Sequence, residues 1–467
     1  MGPILYQWEI HPTTWVYISS LMTLAIFFKF SRVWSVRNLD LIGLVALAPG
    51  LLLVQHGESV ESLGYLWLFA GGGLFLVRML VDPMMVRRPL LEPNLSPGAM
   101  VFMCTFLMLF LMANVVTSDV RESDLDGARQ LDSMLAGQSP APPEDAAARH
   151  GPGYPWLHLL PTVSSRALVR VDEHLPVDQE ELLVHTATAR TMAILSHLAV
   201  ISGLVIVGSR HFRNLTAGLS AASVYLLLPY TAQHVGSVDH VLPAALLVWA
   251  VVAYRRPMLA GMFVGLAAGA IYYPIFLLPL WVGFYWQRGL WRFAVGVVGA
   301  LVVVVSSLAL TSESLGAFLE QMQQLIGWTS LVSGTADGFW ATFQPAFRIP
   351  VFAAFVALAV SLAIWPANKN LGTLLSCSAV VMLGTQFWHT PHGGLYLGWY
   401  LPLMLLTIFR PNLEDRIATN VISERWLSRA PQLKAPPLER SLEQDAASMP
   451  SSIQLVGMTA QAHDTTR

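Results

Sequence analysis

Charge is scarce in this chain: Asp, Glu, Lys and Arg make up 12% of its 467 residues, against about a quarter in a soluble domain. Neither sign dominates. Lys and Arg number 27 against 29 Asp and Glu, a formal charge of −2, which excludes a basic nucleic-acid binder. Cysteine is nearly absent, and Cys104 and Cys377 both sit inside apolar runs, so neither a disulfide framework nor a cysteine-based zinc site can be built. No Walker loop, dinucleotide fingerprint, nucleophile elbow or HExxH motif is present, which argues against ATP hydrolysis by this chain. The abundant component is apolar: 54% of residues are hydrophobic and the mean hydropathy is +0.55. That excludes a disordered chain and makes lipid the main solvent.

Apolar stretches bounded by Arg recur at 15–30, 41–54, 63–80, 99–116, 191–208, 215–232, 241–254, 258–272, 274–287, 293–310, 349–365, 371–387 and 395–409. The expected fold class is therefore all-α, a polytopic membrane protein with about thirteen transmembrane helices. The first stretch does not read as a cleavable signal peptide, because Glu9 and His11 stand where a basic leader would be. Lys29, Arg32 and Arg37 follow span one, Arg87 and Arg88 span three, Arg255 and Arg256 span seven, and Arg288 and Arg292 span nine. The alternate connections 55–62, 233–240 and 388–394 hold no Lys or Arg. The positive-inside rule then places the N-terminus outside and the C-terminus in the cytoplasm. The sequons at Asn94 and Asn214 fall on the inner side and read as chance matches.

Tyr272, Tyr273 and Pro274 break the stretch 258–287 into a tight hairpin of two short helices, and Gly261, Gly265 and Gly269 form a packing stripe on its first arm. Two long outer segments, 117–190 and 311–348, carry amphipathic helices. In the first, Ser123 caps a helix with Leu125, Ala128, Leu131 and Leu135 on its apolar side, ended by Gly137. Residues 138–155 are irregular, Trp156 to Leu160 suits the membrane interface, and helix runs unbroken from Asp178 into span five. In the second, Leu315, Phe318, Leu319, Met322, Leu325 and Ile326 make one apolar stripe. Residues 411–467 read as a cytoplasmic tail, mostly disordered.

Several polar residues are candidates for chemistry. Asp119, three residues beyond Val116, can act at the membrane rim as a general base, with Glu122 and Asp124 following. The plainer reading is the solvated start of a loop. Asp239 and His240 can bind a phosphate-linked metal or a sugar hydroxyl, or Asp239 can simply cap span seven. His389 and His392 can bond a phosphate or sugar, or belong to a polar turn, and they lack a metal-ligand signature. Arg348 is either a ligand for an anionic lipid phosphate or an interfacial anchor. His197 lies at membrane depth, where an ionisable group is functional by default or neutral and bonded to a neighbouring Ser.

Residues 233–299 combine a basic turn (Arg255 to Pro257), a Gly- and Ala-rich arm (Gly261 to Gly269), Tyr272 to Pro274, a Leu- and Pro-rich return (Leu277 to Leu280) and an Arg–Trp turn (Arg288 to Arg292). This pattern, with Tyr400 to Pro402 and Arg410 to Pro411, resembles the polytopic type C glycosyltransferases, in particular bacterial mannosyl- and arabinosyl-transferase-like branches. The resemblance implies sugar transfer from a polyprenyl-phosphate donor at the outer face of a bacterial cytoplasmic membrane. The acceptor would be a glycan, lipid or protein, and the other partner membrane lipid. It implies no cofactor, with a divalent cation left open. It selects Asp119 as the catalytic acid, with Glu122 or Asp124 next, and places Tyr272 and Tyr273 where the family has a Lys before the hairpin Pro. The acidic loop follows span four rather than span one, which divides the chain into an N-terminal three-span region 1–98, a transferase-like core 99–410 and the tail 411–467. Two other classes fit the composition: a transporter or flippase of lipid-linked saccharide, and a non-catalytic subunit of a polysaccharide assembly complex. A flippase would show matching interrupted repeats, and only one interrupted hairpin is apparent.

Overall fold

Each of the thirteen apolar segments carries helix in the computed structural model, which describes residues 11–85, 91–136, 150–151, 153–169, 177–287, 289–311, 316, 338–367, 369–389 and 392–411. Among these residues there is no β-strand, only an isolated bridge between Gly338 and Gly393. The first helices are α1 (Pro12–Phe27), α2 (Val36–Ala46), α3 (Ala48–Gln55), α4 (Glu58–Val81) and α5 (Pro97–Thr117). The acidic loop adds α6 (Glu122–Leu135), α7 (Tyr154–Leu157) and α8 (Leu159–Val169), and α9 (Val177–Ile206) leads back. Then come α10 (Leu215–Leu227), α11 (Pro229–Gln233), α12 (Val238–Val252), α13 (Pro257–Ala270), α14 (Leu278–Tyr285) and α15 (Leu290–Thr311). The last three are α16 (Arg348–Ile364), α17 (Leu371–Thr385) and α18 (Leu401–Phe409).

Local chemistry accounts for many of the ends. Ser35, Ser96 and Asn214 accept backbone N–H groups of α2, α5 and α10, and Asn370 with Thr373 forms a reciprocal capping box on α17. Pro12, Pro97 and Pro257 open their helices where no N–H is required. Both sequon asparagines have partners within the fold: Asn214 caps α10, and Asn94 accepts from Lys29 Nζ at 2.8 Å.

Among the described residues, five helical stretches are long and apolar enough to cross a membrane: Val36–Gln55, Val60–Met84, Pro97–Thr117, Gln179–His211 and Pro345–Ile364. Seven shorter apolar helices accompany them. Several short helices are the most buried: α17 and α18 along their whole length, and α10 from Ala217 onward, whereas α1 and α15 turn Tyr17, Leu21, Trp291 and Val303 outward. The long α4 and α5 turn Leu74, Phe102 and Leu109 outward. An apolar outer face with a better-filled interior is the signature of a protein solvated by lipid.

Three local expectations change. The break at Tyr272 to Pro274 exists, with α13 ending at Ala270 and a 3₁₀ turn over Tyr273–Leu277. Its arms, however, do not form a tight hairpin: α13 runs along α15, and α14 along α16. The glycine stripe explains the choice. A Cβ on Gly265 would stand 2.8 Å from Ala300, and one on Gly269 2.9 Å from Val304, so only a bare backbone lets α15 approach. Helix α6 starts two residues earlier than a Ser123 cap allows, with Arg121 at the N-cap and Glu122 and Asp124 in the first turn, where the helix dipole favours acids. Leu125, Ala128 and Leu131 are buried as expected, but Leu135 is exposed. The unbroken helix into span five is present as α9. Gly137, residues 138–149, the apolar stripe from Leu315 to Ile326 and the tail beyond 411 lie outside the described residues.

A buried ion-pair cluster ties the N-terminal helices to the last one. Arg78 holds Asp40 through two bonds of 2.8 and 2.9 Å and Asp82 at 3.0 Å, while Arg410 reaches the other oxygen of Asp82 at 2.7 Å. Arg37 then donates to the Arg410 carbonyl at 2.9 Å.

Candidate functional site

The candidate site forms where α5 ends. Beyond Thr117 the chain runs extended through Ser118 and Asp119 until α6 begins, and Arg190 of α9 pins it by donating to the Ser118 carbonyl at 2.9 Å. Opposite lies the start of α12. Its N-cap, Ser237, makes no side-chain bond to the helix, and the free N–H groups of a helix start need acceptors. The Asp124 carboxylate supplies one from α6, accepting the N–H of Val238. This tertiary cap brings Asp124 beside Asp239.

Between these elements lies a cavity of about 300 Å³ lined by Asp119, Arg121, Asp124, Arg190, Gln233 and Ser237. Pro12, Trp15 and Gln55 of the N-terminal helices close its far side. Asp119 is exposed at this cavity, whereas Asp124 is 4% exposed. Burial, and then the neighbouring Asp239, raise the Asp124 carboxyl to about 8, against the opposing pull of Arg121 and the Val238 N–H. Burial and the same two acids push the Tyr154 phenol up as well. On the adjoining loop, burial, His240 and Arg121 together keep the His234 imidazole well below its ordinary value. A carboxyl that titrates near neutrality at a cavity can take or give a proton under working conditions.

The other sequence candidates separate into distinct environments. Glu122 points away, 83% exposed and paired with Arg129 at 2.7 Å. Asp239 lies next to Asp124, its carbonyl accepting from Trp399 Nε1 at 2.9 Å and its carboxylate 4.0 Å from His240 Nε2. His240 is buried, bonded to the Tyr230 hydroxyl at 2.6 Å and stacked between His234 and Tyr396. His389 bonds the Tyr273 hydroxyl, and both rings pack on Trp399. His392 meets the Tyr65 hydroxyl at 2.9 Å. Tyr272 is half-buried against Phe276, and Arg348 is 1% exposed, away from the lining of the cavity. These histidines and tyrosines engage one another in an aromatic scaffold that fixes the start of α12, and with it Asp239. His197 also has internal partners, Tyr225 Oη at 2.9 Å and the Val235 carbonyl at 3.0 Å, rather than a serine.

Sequence reasoning missed Trp15, Gln233 and Arg190 as parts of one site. Arg190 carried a signal, a lone cation on the last turn before an apolar run. Trp15 and Gln233 carried none, since each looks like ordinary span composition. Among the described residues, no group of three or more His, Cys, Asp or Glu side chains is arranged to hold a metal ion. Compared with protein-family models, curated proteins and solved structures, the chain matches none.

Proposed function

We propose that this protein is an integral membrane glycosyltransferase that moves a hexosyl or pentosyl group from a polyprenyl-phosphate donor to an acceptor hydroxyl on the extracytoplasmic face. Thirteen spans with the N-terminus outside and the C-terminus in the cytoplasm put the loop 117–190, and so the cavity, on that face. One observation carries the reading: a buried carboxyl poised near neutrality shares a cavity with two guanidinium groups at the end of a long apolar helix.

In this mechanism the Asp124 carboxylate takes the proton of the acceptor hydroxyl as its oxygen bonds to the anomeric carbon. The bond from that carbon to the phosphate oxygen breaks, and Arg121 and Arg190 receive the charge on the departing polyprenyl phosphate. Asp119, exposed at the cavity, orients the acceptor. The base thus moves from Asp119, the first choice on sequence, to Asp124.

The experiment is transfer from radiolabelled polyprenyl-phosphate hexoses and pentoses in isolated membranes. Transfer by wild type that Asp124→Asn loses and Asp119→Asn only weakens is the expected result. Absence of transfer by wild type from every donor would overturn the proposal in favour of a flippase or an assembly subunit. Cysteines at Ser164, exposed on α8, and at position 450 test the topology: an impermeant thiol reagent applied to intact cells should label the first alone.

A further inference from the structure

Helix α12 leads away from the cavity, and at its far end the charge pattern changes. From Val238 to Val252 it rises about 22 Å. Between Leu182 and Ser312 the chain holds one acid, Asp239, against seven arginines. Asp239 and Arg190 stand at the cavity end. Arg210, Arg213, Arg255, Arg256 and Arg292 are exposed in the connections at the other end, with no acid in those connections to balance them.

Packing gathers these arginines. Tyr285, closing α14, donates its hydroxyl to the Tyr254 carbonyl at 2.6 Å, which joins the turn after α12 to the turn before α15. Helices α13 and α15 start side by side: a Cβ on Gly261 would strike the Phe293 carbonyl, and one on Gly296 that of Met258. Arg256, the N-cap of α13, and Arg292, in the first turn of α15, therefore share one patch. Arg255 lies over the Tyr254 ring at 5.9 Å. His211 meets the same ring at 4.7 Å and lies within reach of the charges of Arg210 and Arg255.

Beside the cations runs an apolar stripe. Trp286 is 67% and Trp291 79% exposed. From Trp291 the outward face of α15 continues through Val295, Val298 and Val302, at intervals of four, three and four that keep them on one side of the helix. A free phosphate ion would engage the arginines and leave this stripe uncovered. A zwitterionic headgroup would bring a cation of its own against them. An anionic phospholipid answers both parts: its phosphate meets the guanidinium groups, its chain covers the valines, and indole suits the boundary between the two.

We propose that the Arg255–Arg256 turn and Arg292 bind the headgroup of an anionic phospholipid whose acyl chain lies along Trp291, Val295, Val298 and Val302. The site stands apart from the cavity and does not depend on sugar transfer. Full-length protein in detergent is titrated with equal amounts of phosphatidylglycerol and phosphatidylcholine carrying the same chains, and bound lipid is read by native mass spectrometry. Wild type should retain phosphatidylglycerol at least about fivefold over phosphatidylcholine. Arg255→Gln, Arg256→Gln and Arg292→Gln together should remove that preference. Arg129→Gln with Arg166→Gln, which strips exposed charge from α6 and α8, should keep it. Trp291→Ala should weaken retention of phosphatidylglycerol.

Equal retention of the two lipids by wild type, or an unchanged preference in the triple variant, overturns the proposal. Loss of preference in the α6 and α8 variant as well would assign it to net charge and also overturn the site. Displacement of the lipid by inorganic phosphate would make this a site for a free anion, and indifference to Trp291→Ala would reject the chain path. If the triple variant does not purify as folded protein, Arg292→Gln alone decides: a reduced preference sustains the site and an unchanged one rejects it.

Discussion

Asp82 and Asp124 are both buried acids, at 0% and 4% exposure, yet their surroundings are opposite. Asp82 lies between two guanidinium groups, each of its oxygens bonded to one of them, and Arg78 extends the cluster to Asp40. Asp124 has a backbone N–H and a second carboxylate for close company, with Arg121 more loosely placed. A carboxylate bonded through both oxygens to cations is held in one position. A carboxyl facing another carboxylate holds a proton that it can release. The first arrangement holds helices together, and the second suits proton transfer.

The difference is sharpest in activity. Asp124→Asn keeps an oxygen for the Val238 N–H but cannot accept a proton, so sugar transfer should fall by about 10²–10⁴-fold at constant protein level. Folding should tolerate the change. Because burial raises this carboxyl to about 8 from an ordinary 3.8, wild type should lose stability as pH rises through that window. The asparagine variant should lack this contribution, as thermal unfolding of the purified protein at several pH values will show. Wild-type transfer rates from Asp124→Asn would erase the contrast.

Asp82→Asn should show the converse. It leaves Arg78 and Arg410 partly uncompensated in a buried setting, which costs about 3–5 kcal/mol when one partner of a buried pair is removed. The yield of folded protein should drop, while the protein that does fold should turn over normally. Loss of turnover without loss of stability would show that the cluster belongs to the site.

A smaller effect sharpens the pairing itself. Asp239→Asn removes the acid that helps raise Asp124, so the rising limb of the pH–rate profile should move to lower pH with a modest change in maximum rate. An unmoved limb would mean that burial alone sets the Asp124 proton.

How much was legible beforehand differs between helices and site. The apolar runs are local, so helix in each of them could be read off the chain, while among the described residues five stretches are long and apolar enough to span. The break at Tyr272 to Pro274 was equally local. Where its two arms went was not, because Gly261, Gly265 and Gly269 advertise close packing without naming the partner, and α15 follows both arms in the chain. The acids beyond span four were visible as candidates, but their ranking was not. Asp119 and Asp124 differ in burial only because α12, more than a hundred residues further on, presents an unfilled helix start to one of them.

Sequence by itself determined that this protein is helical and apolar enough to live in lipid, because hydropathy and capping act over a few neighbouring residues. Only the tertiary structure decided that residues near 15, 55, 120, 190 and 235 share one cavity, that His240, His389 and His392 each meet a tyrosine hydroxyl, and that one aspartate among several has its proton poised near neutrality. Those outcomes depend on desolvation and on charges brought together across the fold, and neither quantity exists until the helices have packed.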